Sequence, residues 1–244
     1  MYTNCIFDLY GTLVDIHTDE NQTALWEKLA MFYGYYGAAY TPSELKAAYE
    51  ALTRAAIDGH QAAIAHEAFP EIRLEQVFLK LFEQRGVHAD MPLAIHAGQF
   101  FRILSTEYVR LYDGTMEMLK SLKAAGKKVY LLSNAQRIFT EHEMKALNIY
   151  SLFDDVFISS DFGCKKPDSR FFSALIEQHE LSLTDSIMIG NDGTCDIAGA
   201  KAAGLHTLYI HSNLSPGEET PDADFVLDAM DMDAVNKILL GGKA

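Results

Sequence analysis

The sequence predicts an open parallel α/β sheet interrupted near its start by a helical insertion. Two observations carry this. From residue 112 onward, short apolar runs alternate with helical or polar stretches, the pattern of right-handed βαβ units packing onto one parallel sheet. A first apolar run, Cys5-Ile6-Phe7, stands apart from the others, separated by a long tract of helical pattern. A chain of 244 residues suits one large domain, or a core with one insertion.

In order along the chain, residues 4–9, an apolar run broken by Asp8 and bounded by a turn at Gly11, read as a buried strand. Within the helical tract, Thr41-Pro42-Ser43-Glu44 has an N-cap residue, Pro at the first helical position and Glu at the third, which together form a capping box. Pro70-Glu71 is expected to open a further helix. There Leu74, Val77, Phe78, Leu81 and Phe82 recur at helical spacing, Arg73, Glu75, Lys80 and Glu83 fall off that stripe, and Gly86 ends it. The aromatic segment 32–40 reads as a helix end and a turn. Its tyrosines either pack the insertion or line a substrate pocket. A helix over 115–125 stops at Gly126, and strand-like runs follow at 128–132, 156–159, 186–189, 207–210 and 225–227. The expected division is therefore an α/β core of residues 1–17 and 108–244 with a helical insertion of residues 18–107.

Composition excludes several classes of function. Hydrophobic residues at 49% and charged residues at 22% describe a folded globular chain. Lys and Arg number 20 against 34 Asp and Glu, a formal net charge of −14. That argues against nucleic acid as a partner and against docking on anionic lipid. An acidic protein that handles anions must build positive potential locally, so lysines near a site carry weight. Cys5, Cys164 and Cys195 are scattered and form no CxxC, which speaks against a disulfide framework or a structural zinc. The first residues lack a basic n-region and an apolar h-region, and no apolar run is long enough to cross a bilayer. The expected location is the cytoplasm. Gly241-Gly242-Lys243 lacks the strand and leading glycine of a P-loop.

In an open parallel sheet, ligands bind beyond the carboxyl ends of the strands. The first run delivers Asp8, Tyr10 and Thr12 there; the run at 128–132 delivers Ser133 and Asn134; the run at 186–189 delivers Asn191, Asp192 and Asp196. Lys166 precedes Pro167 and a helix that starts near Asp168. Taken singly, these are ordinary turn, cap and surface residues. Together they suit a single chemistry, in which hard oxygen ligands hold Mg²⁺, an anion is bound and a carboxylate attacks it.

Phe7-Asp8-Leu9-Tyr10-Gly11-Thr12-Leu13-Val14-Asp15 resembles the first motif of the haloacid dehalogenase superfamily. Leu131-Leu132-Ser133-Asn134 resembles the second, Lys166-Pro167-Asp168 the third, and Gly190-Asn191-Asp192-Gly193-Thr194-Cys195-Asp196, continuing to Gly204, the fourth. The four motifs stand in the family's order and span nearly the whole chain outside the insertion. The resemblance implies a Rossmann-like core with a helical cap inserted after the first motif. It makes Asp8 the nucleophile of an aspartyl intermediate, with Thr12 or Ser133 binding phosphoryl oxygens. Lys166 would neutralise charge, and Asp192 would ligate Mg²⁺ with Asp8 and the backbone carbonyl of Tyr10. Asn191 adjoins Asp192 and competes for the metal position. Asp196 is either a further metal-shell residue or the partner of Lys166. The implied substrate is a small phosphorylated metabolite.

One departure opens a second reading. Most phosphatases of the superfamily carry an acid two residues after the nucleophile, and here Tyr10 stands there. A phenol, with a pKa near ~10, is a poor base at neutral pH. Tyrosine at this position also occurs in metal-independent haloacid dehalogenases. Against that reading, no Arg precedes Arg54, Asp192 stands where dehalogenases have serine, and Phe172 stands where they have tyrosine. A non-catalytic regulator that binds a phosphorylated ligand is the third reading.

Overall fold

The computed structural model describes residues 2–63, 69–217 and 219–241, so Gly242 and Lys243 of the C-terminal Gly-Gly-Lys run lie outside the described residues. In chain order its elements are β1 (Asn4–Phe7), β2 (Val14–Thr18), α1 (Thr23–Tyr35), α2 (Pro42–Ala63), α3 (Leu74–Glu83), α4 (Met91–Ser105) and β3 (Thr106–Leu111). There follow α5 (Thr115–Ala124), β4 (Lys128–Ser133), α6 (Arg137–Ala146), β5 (Asp155–Ile158), α7 (Ser159–Phe162), α8 (Ser169–Gln178) and β6 (Ser186–Gly190). The chain closes with α9 (Gly199–Ala202), β7 (His206–Ile210), β8 (Phe225–Leu227) and α10 (Met232–Leu239).

Six strands form one sheet in the order β5-β4-β1-β6-β7-β8, and every pair is parallel. Side chains alternate across the pleat, so each strand feeds two layers. Cys5, Phe7, Val129, Leu131, Ile187 and Ile189 pack under α5 and α10, while Ile6, Tyr130, Leu132 and Met188 pack against Phe171, Phe172 and Leu175 of α8. Both faces are thus covered, which is why the strands read as apolar runs rather than alternating ones. The predicted α/β parallel sheet is the fold observed. Phe172 is fully buried core, and a Cβ at Gly199 would come within 2.7 Å of its ring.

The strand order reverses at β1. The chain runs outward from β1 through β4 and β5, then crosses back to pair β6 on the other side of β1. That switch point opens a crevice at the carboxyl end of β1, flanked by the ends of β4 and β6.

Between β1 and the rest of the sheet lie α1–α4, whose apolar cluster also takes in Ile138 and Phe139 of α6. The capping box forms as read: Thr41 N–H donates to Glu44 Oε2 at 2.9 Å and Glu44 N–H donates back to Thr41 Oγ1 at 3.3 Å. Of the tyrosines, Tyr33 is buried and donates to the Phe78 carbonyl, and Tyr40 donates to that of Leu81, whereas Tyr35 is 87% exposed. Two local readings are corrected. The helix expected to open at Pro70-Glu71 begins at Leu74, because residues 69–71 run extended and hydrogen-bond to the core instead. Strands β2 and β3, unread in the sequence, pair antiparallel as a two-stranded ribbon where the chain enters and leaves the insertion, straddling the expected boundaries.

Candidate active site

Asp8 follows β1 directly and is 7% exposed. Its Oδ1 accepts from Lys166 Nζ at 2.8 Å and from Ser133 Oγ at 3.2 Å. Lys166 is 1% exposed, and its Nζ also donates to Asp196 Oδ1 at 2.6 Å. Asp8, Lys166 and Asp196 therefore form a buried row of alternating charge. Burial alone would pull the Lys166 ammonium down, but Asp196 and Asp8 outweigh it and hold the group above the ordinary lysine value, so it is cationic at any physiological pH. Burial pushes the Asp196 carboxyl up against the pull of Lys166, and the charge on Asp8 pushes the same way. Asp196 Oδ2 accepts the Asp192 N–H at 3.0 Å, and a Cβ on Gly190 would lie 2.3 Å from the Asp196 carboxyl, so only glycine lets that carboxylate reach the strand end. Of the two roles left open for Asp196, the geometry gives it partnership with Lys166.

Asn134 lines the cavity beside Asp8, and its amide is engaged by the Lys166 backbone. Its Nδ2 donates to the Lys166 carbonyl at 3.0 Å, and its Oδ1 accepts the Lys166 N–H at 2.8 Å. Both ends of the amide are used to position the lysine. Thr12, by contrast, is turned inward. It is fully buried, and its single hydroxyl proton is shared between Asn191 Oδ1 at 3.2 Å and Asp8 Oδ2 at 3.5 Å. Ser133 is the hydroxyl that lines the open space. Asn191 is wedged behind Gly11, whose φ of +85° leaves room where a Cβ would lie 2.3 Å from Asn191 Nδ2. A cavity of about 320 Å³ is bounded by Asp8, Tyr10, Ser133, Lys166, Asp192 and Asp196, among others. Cys195 also lines it, but burial pushes its thiol up to about 12 with the help of Asp192, so it stays protonated.

Among the described residues no cluster of three or more His, Cys, Asp or Glu forms a ready metal site. The reason is local: Lys166 stands between Asp8 and Asp196 and uses the facing oxygens. A different oxygen set remains. Among the described residues, Asp8 Oδ2 has only the long Thr12 contact. Asp192 Oδ1 accepts the N–H groups of Thr194 and Cys195, each at 2.8 Å, and among the described residues no backbone N–H donates to Oδ2. No backbone hydrogen bond described ends on the Tyr10 carbonyl. Two carboxylate oxygens and a carbonyl are the hard donors Mg²⁺ takes, so the residues fit the ion. Asn191 Oδ1, already engaged by Thr12, is the weaker candidate of the adjacent pair.

The Tyr10 side chain turns away from this centre. Its hydroxyl donates to Glu143 Oε2 at 2.5 Å and lies 3.0 Å from Thr140 Oγ1. Burial and the Glu143 charge push the phenol well above its ordinary value, so it serves neither as acid nor as base.

A family profile described as hydrolase, haloacid dehalogenase-like hydrolase, matches residues 2–204, and the chain belongs to that family. It is 27% identical to a glyceraldehyde 3-phosphate phosphatase of Methanothermobacter thermautotrophicus over 150 residues, 61% of this chain and 66% of that protein's length. It is 27% identical to a phosphoglycolate phosphatase of Vibrio cholerae over 226 residues, 91% of each chain. A solved 2-haloacid dehalogenase of Pseudomonas syringae shares the fold at a TM-score of 0.63 and 18% identity, over 98% of this chain and 99% of that one. No helix among the described residues is long and apolar enough to cross a membrane.

Proposed function

We propose that the protein is a Mg²⁺-dependent phosphatase of a small phosphorylated metabolite, working through an aspartyl-phosphate on Asp8. The observation that carries this reading is the buried Asp8–Lys166–Asp196 row beside Ser133 at the mouth of a small polar cavity. A lone carboxylate repels a phosphate dianion, and Lys166 cancels that repulsion while fixing the attacking group. When bound by Asp8, Asp192 and the Tyr10 carbonyl, Mg²⁺ would supply the rest of the charge neutralisation.

The Asp8 carboxylate attacks phosphorus in line with the ester bond. That bond breaks and the leaving oxygen departs with its electron pair. Ser133 donates to a phosphoryl oxygen, and Lys166 follows the charge as it spreads. Water then cleaves the acyl phosphate, releasing phosphate and restoring Asp8. No side chain at position 10 protonates the leaving group, so substrates with good leaving groups are favoured. Aryl phosphates are expected to show a kcat at least ~10-fold above alkyl phosphates, the scale of a missing general acid; equal turnover of both would count against the assignment of Tyr10. Helices α1–α4 act in this reading as a cap that excludes water from the site.

The test is hydrolysis of para-nitrophenyl phosphate with Mg²⁺ and with excess EDTA. Turnover that survives chelation, with halide released from 2-chloropropionate, would move the chain to the dehalogenases. A second readout needs no turnover. Mg²⁺ at 100 times its Kd is expected to stabilise the fold by about 2.7 kcal/mol, roughly 5–10 °C in Tm. Asp192→Asn keeps the cap to Thr194 and Cys195 but is expected to lose that shift, whereas Asn191→Ala retains it. The opposite pattern would assign the metal to Asn191.

A further inference from the structure

Three separate segments meet at Glu143. Its Oε2 accepts the Tyr10 hydroxyl at 2.5 Å, and its Oε1 accepts Arg102 Nε at 2.7 Å. Tyr10 lies in the loop that carries Asp8, Glu143 on α6 of the core, and Arg102 near the end of α4, the last helix of the insertion. The Arg102 guanidinium also stands over the rings of Phe139 at 5.4 Å and Tyr10 at 5.7 Å. The Arg102 and Glu143 side chains are 18% and 13% exposed, so the pair is largely withdrawn from water, where a charge-assisted bond is strong and directional. Just beyond Arg102 the chain leaves the insertion through the β2–β3 ribbon.

We infer that Glu143 is a positioning residue of the reaction: its carboxylate registers the loop bearing the nucleophile to the insertion, with Tyr10 on Oε2 and Arg102 across both oxygens. The inference rests on the phosphatase reading for its kinetic test. Position 10 gives up acid–base chemistry and instead gains a mechanical link, because a phenol is long enough to reach α6. The loop that places the Asp8 carboxylate and the Tyr10 carbonyl is then held by the same side chain that holds α4. When the insertion sits in the observed position, the loop is held as well. Because Glu143 does not line the cavity around Asp8, its effect falls on the geometry of attack rather than on substrate affinity.

The experiment measures kcat, KM and Tm with para-nitrophenyl phosphate and Mg²⁺ for the wild type, Tyr10→Phe, Glu143→Gln, Arg102→Ala, Arg102→Lys and the double variant Tyr10→Phe/Glu143→Gln. Tyr10→Phe and Glu143→Gln are each expected to lower kcat roughly 10-fold with KM within about twofold, as for a small misplacement of reacting groups. The double variant is expected to fall no further than the worse single, and Arg102→Lys to recover most of the kcat lost in Arg102→Ala. Wild-type kcat in Glu143→Gln, at a temperature where it is folded, overturns the inference even if its Tm is lowered; so do losses that multiply in the double. Hydrogen exchange of the peptide holding residues 8–14 reads the same link without substrate. Faster exchange in Glu143→Gln, with none added by Tyr10→Phe, supports it, and unchanged exchange overturns it. If the wild type hydrolyses no phosphate ester but exchange responds, the phosphatase reading falls and the link stands.

Discussion

Asp8→Asn is expected to lower kcat on para-nitrophenyl phosphate by at least ~10³-fold, the scale of losing a covalent nucleophile, while Tm moves by only a few degrees. The two halves of this expectation have separate causes. An amide has no anionic lone pair to attack phosphorus, so the covalent route closes. Its shape is nevertheless that of the carboxylate. An amide oxygen placed at Oδ1 still accepts from Lys166 and Ser133, and the NH₂ falls where Oδ2 now has only a 3.5 Å contact with Thr12. Lys166 keeps Asp196 as its partner at 2.6 Å, so the buried ammonium is not orphaned. Kinetics on the purified variant, with a thermal melt on the same sample, check both halves. A variant within 10-fold of wild type would mean that Asp8 is not the attacking group and that an activated water is.

How much of this was legible in the sequence differs by element. The parallel sheet was, because strands buried on both faces announce themselves as apolar runs, and the residues that end them must sit on one edge. Asp8, Ser133 and Asp196 were found in that way, Lys166 from its place before the helix near Asp168, and they meet. Direction was not legible. Thr12 and Asn134 stand at the right ends of the right strands, yet one turns inward under Asp8 and the other spends its amide on the Lys166 backbone. Position along the chain says where a side chain starts and not where its hydrogen bonds go. The β2–β3 ribbon was missed because its strands are half exposed, short and far apart in sequence, with nothing in either run alone to mark the pairing. The contact of Arg102 and Tyr10 with Glu143 spans 41 and 133 residues, and no local pattern records it. Glu143 reads in the sequence as one more polar position on α6. Only the docking of the insertion onto the core gives it a role.

Lys166→Met carries the largest combined effect. Turnover is expected to fall at least ~10³-fold, because among the described residues no other cation pairs with Asp8 to balance it against a phosphate dianion. Stability is expected to fall as well, by about 3–5 kcal/mol, the usual cost of removing one member of a buried charged group. The cause is the carboxylates left behind. Asp8 and Asp196 both turn an oxygen to the one ammonium, and without it they confront each other in a site that water barely reaches. One must then take up a proton to stay folded. A carboxyl whose folded pKa lies above its unfolded value of ~4 costs progressively more as pH rises towards that folded value. The deficit of Lys166→Met relative to wild type is therefore expected to be small near pH 5 and to widen towards pH 8. The decisive comparison is the double variant Lys166→Met/Asp196→Asn. The asparagine can still accept the Asp192 N–H that Asp196 Oδ2 now accepts at 3.0 Å, and it removes one of the two charges. Tm should recover by at least half of the loss, and turnover should not recover at all. Stability that stays low in the double would trace the damage to lost packing of the lysine stem rather than to bare carboxylates. Activity that returns would remove Lys166 from the chemistry.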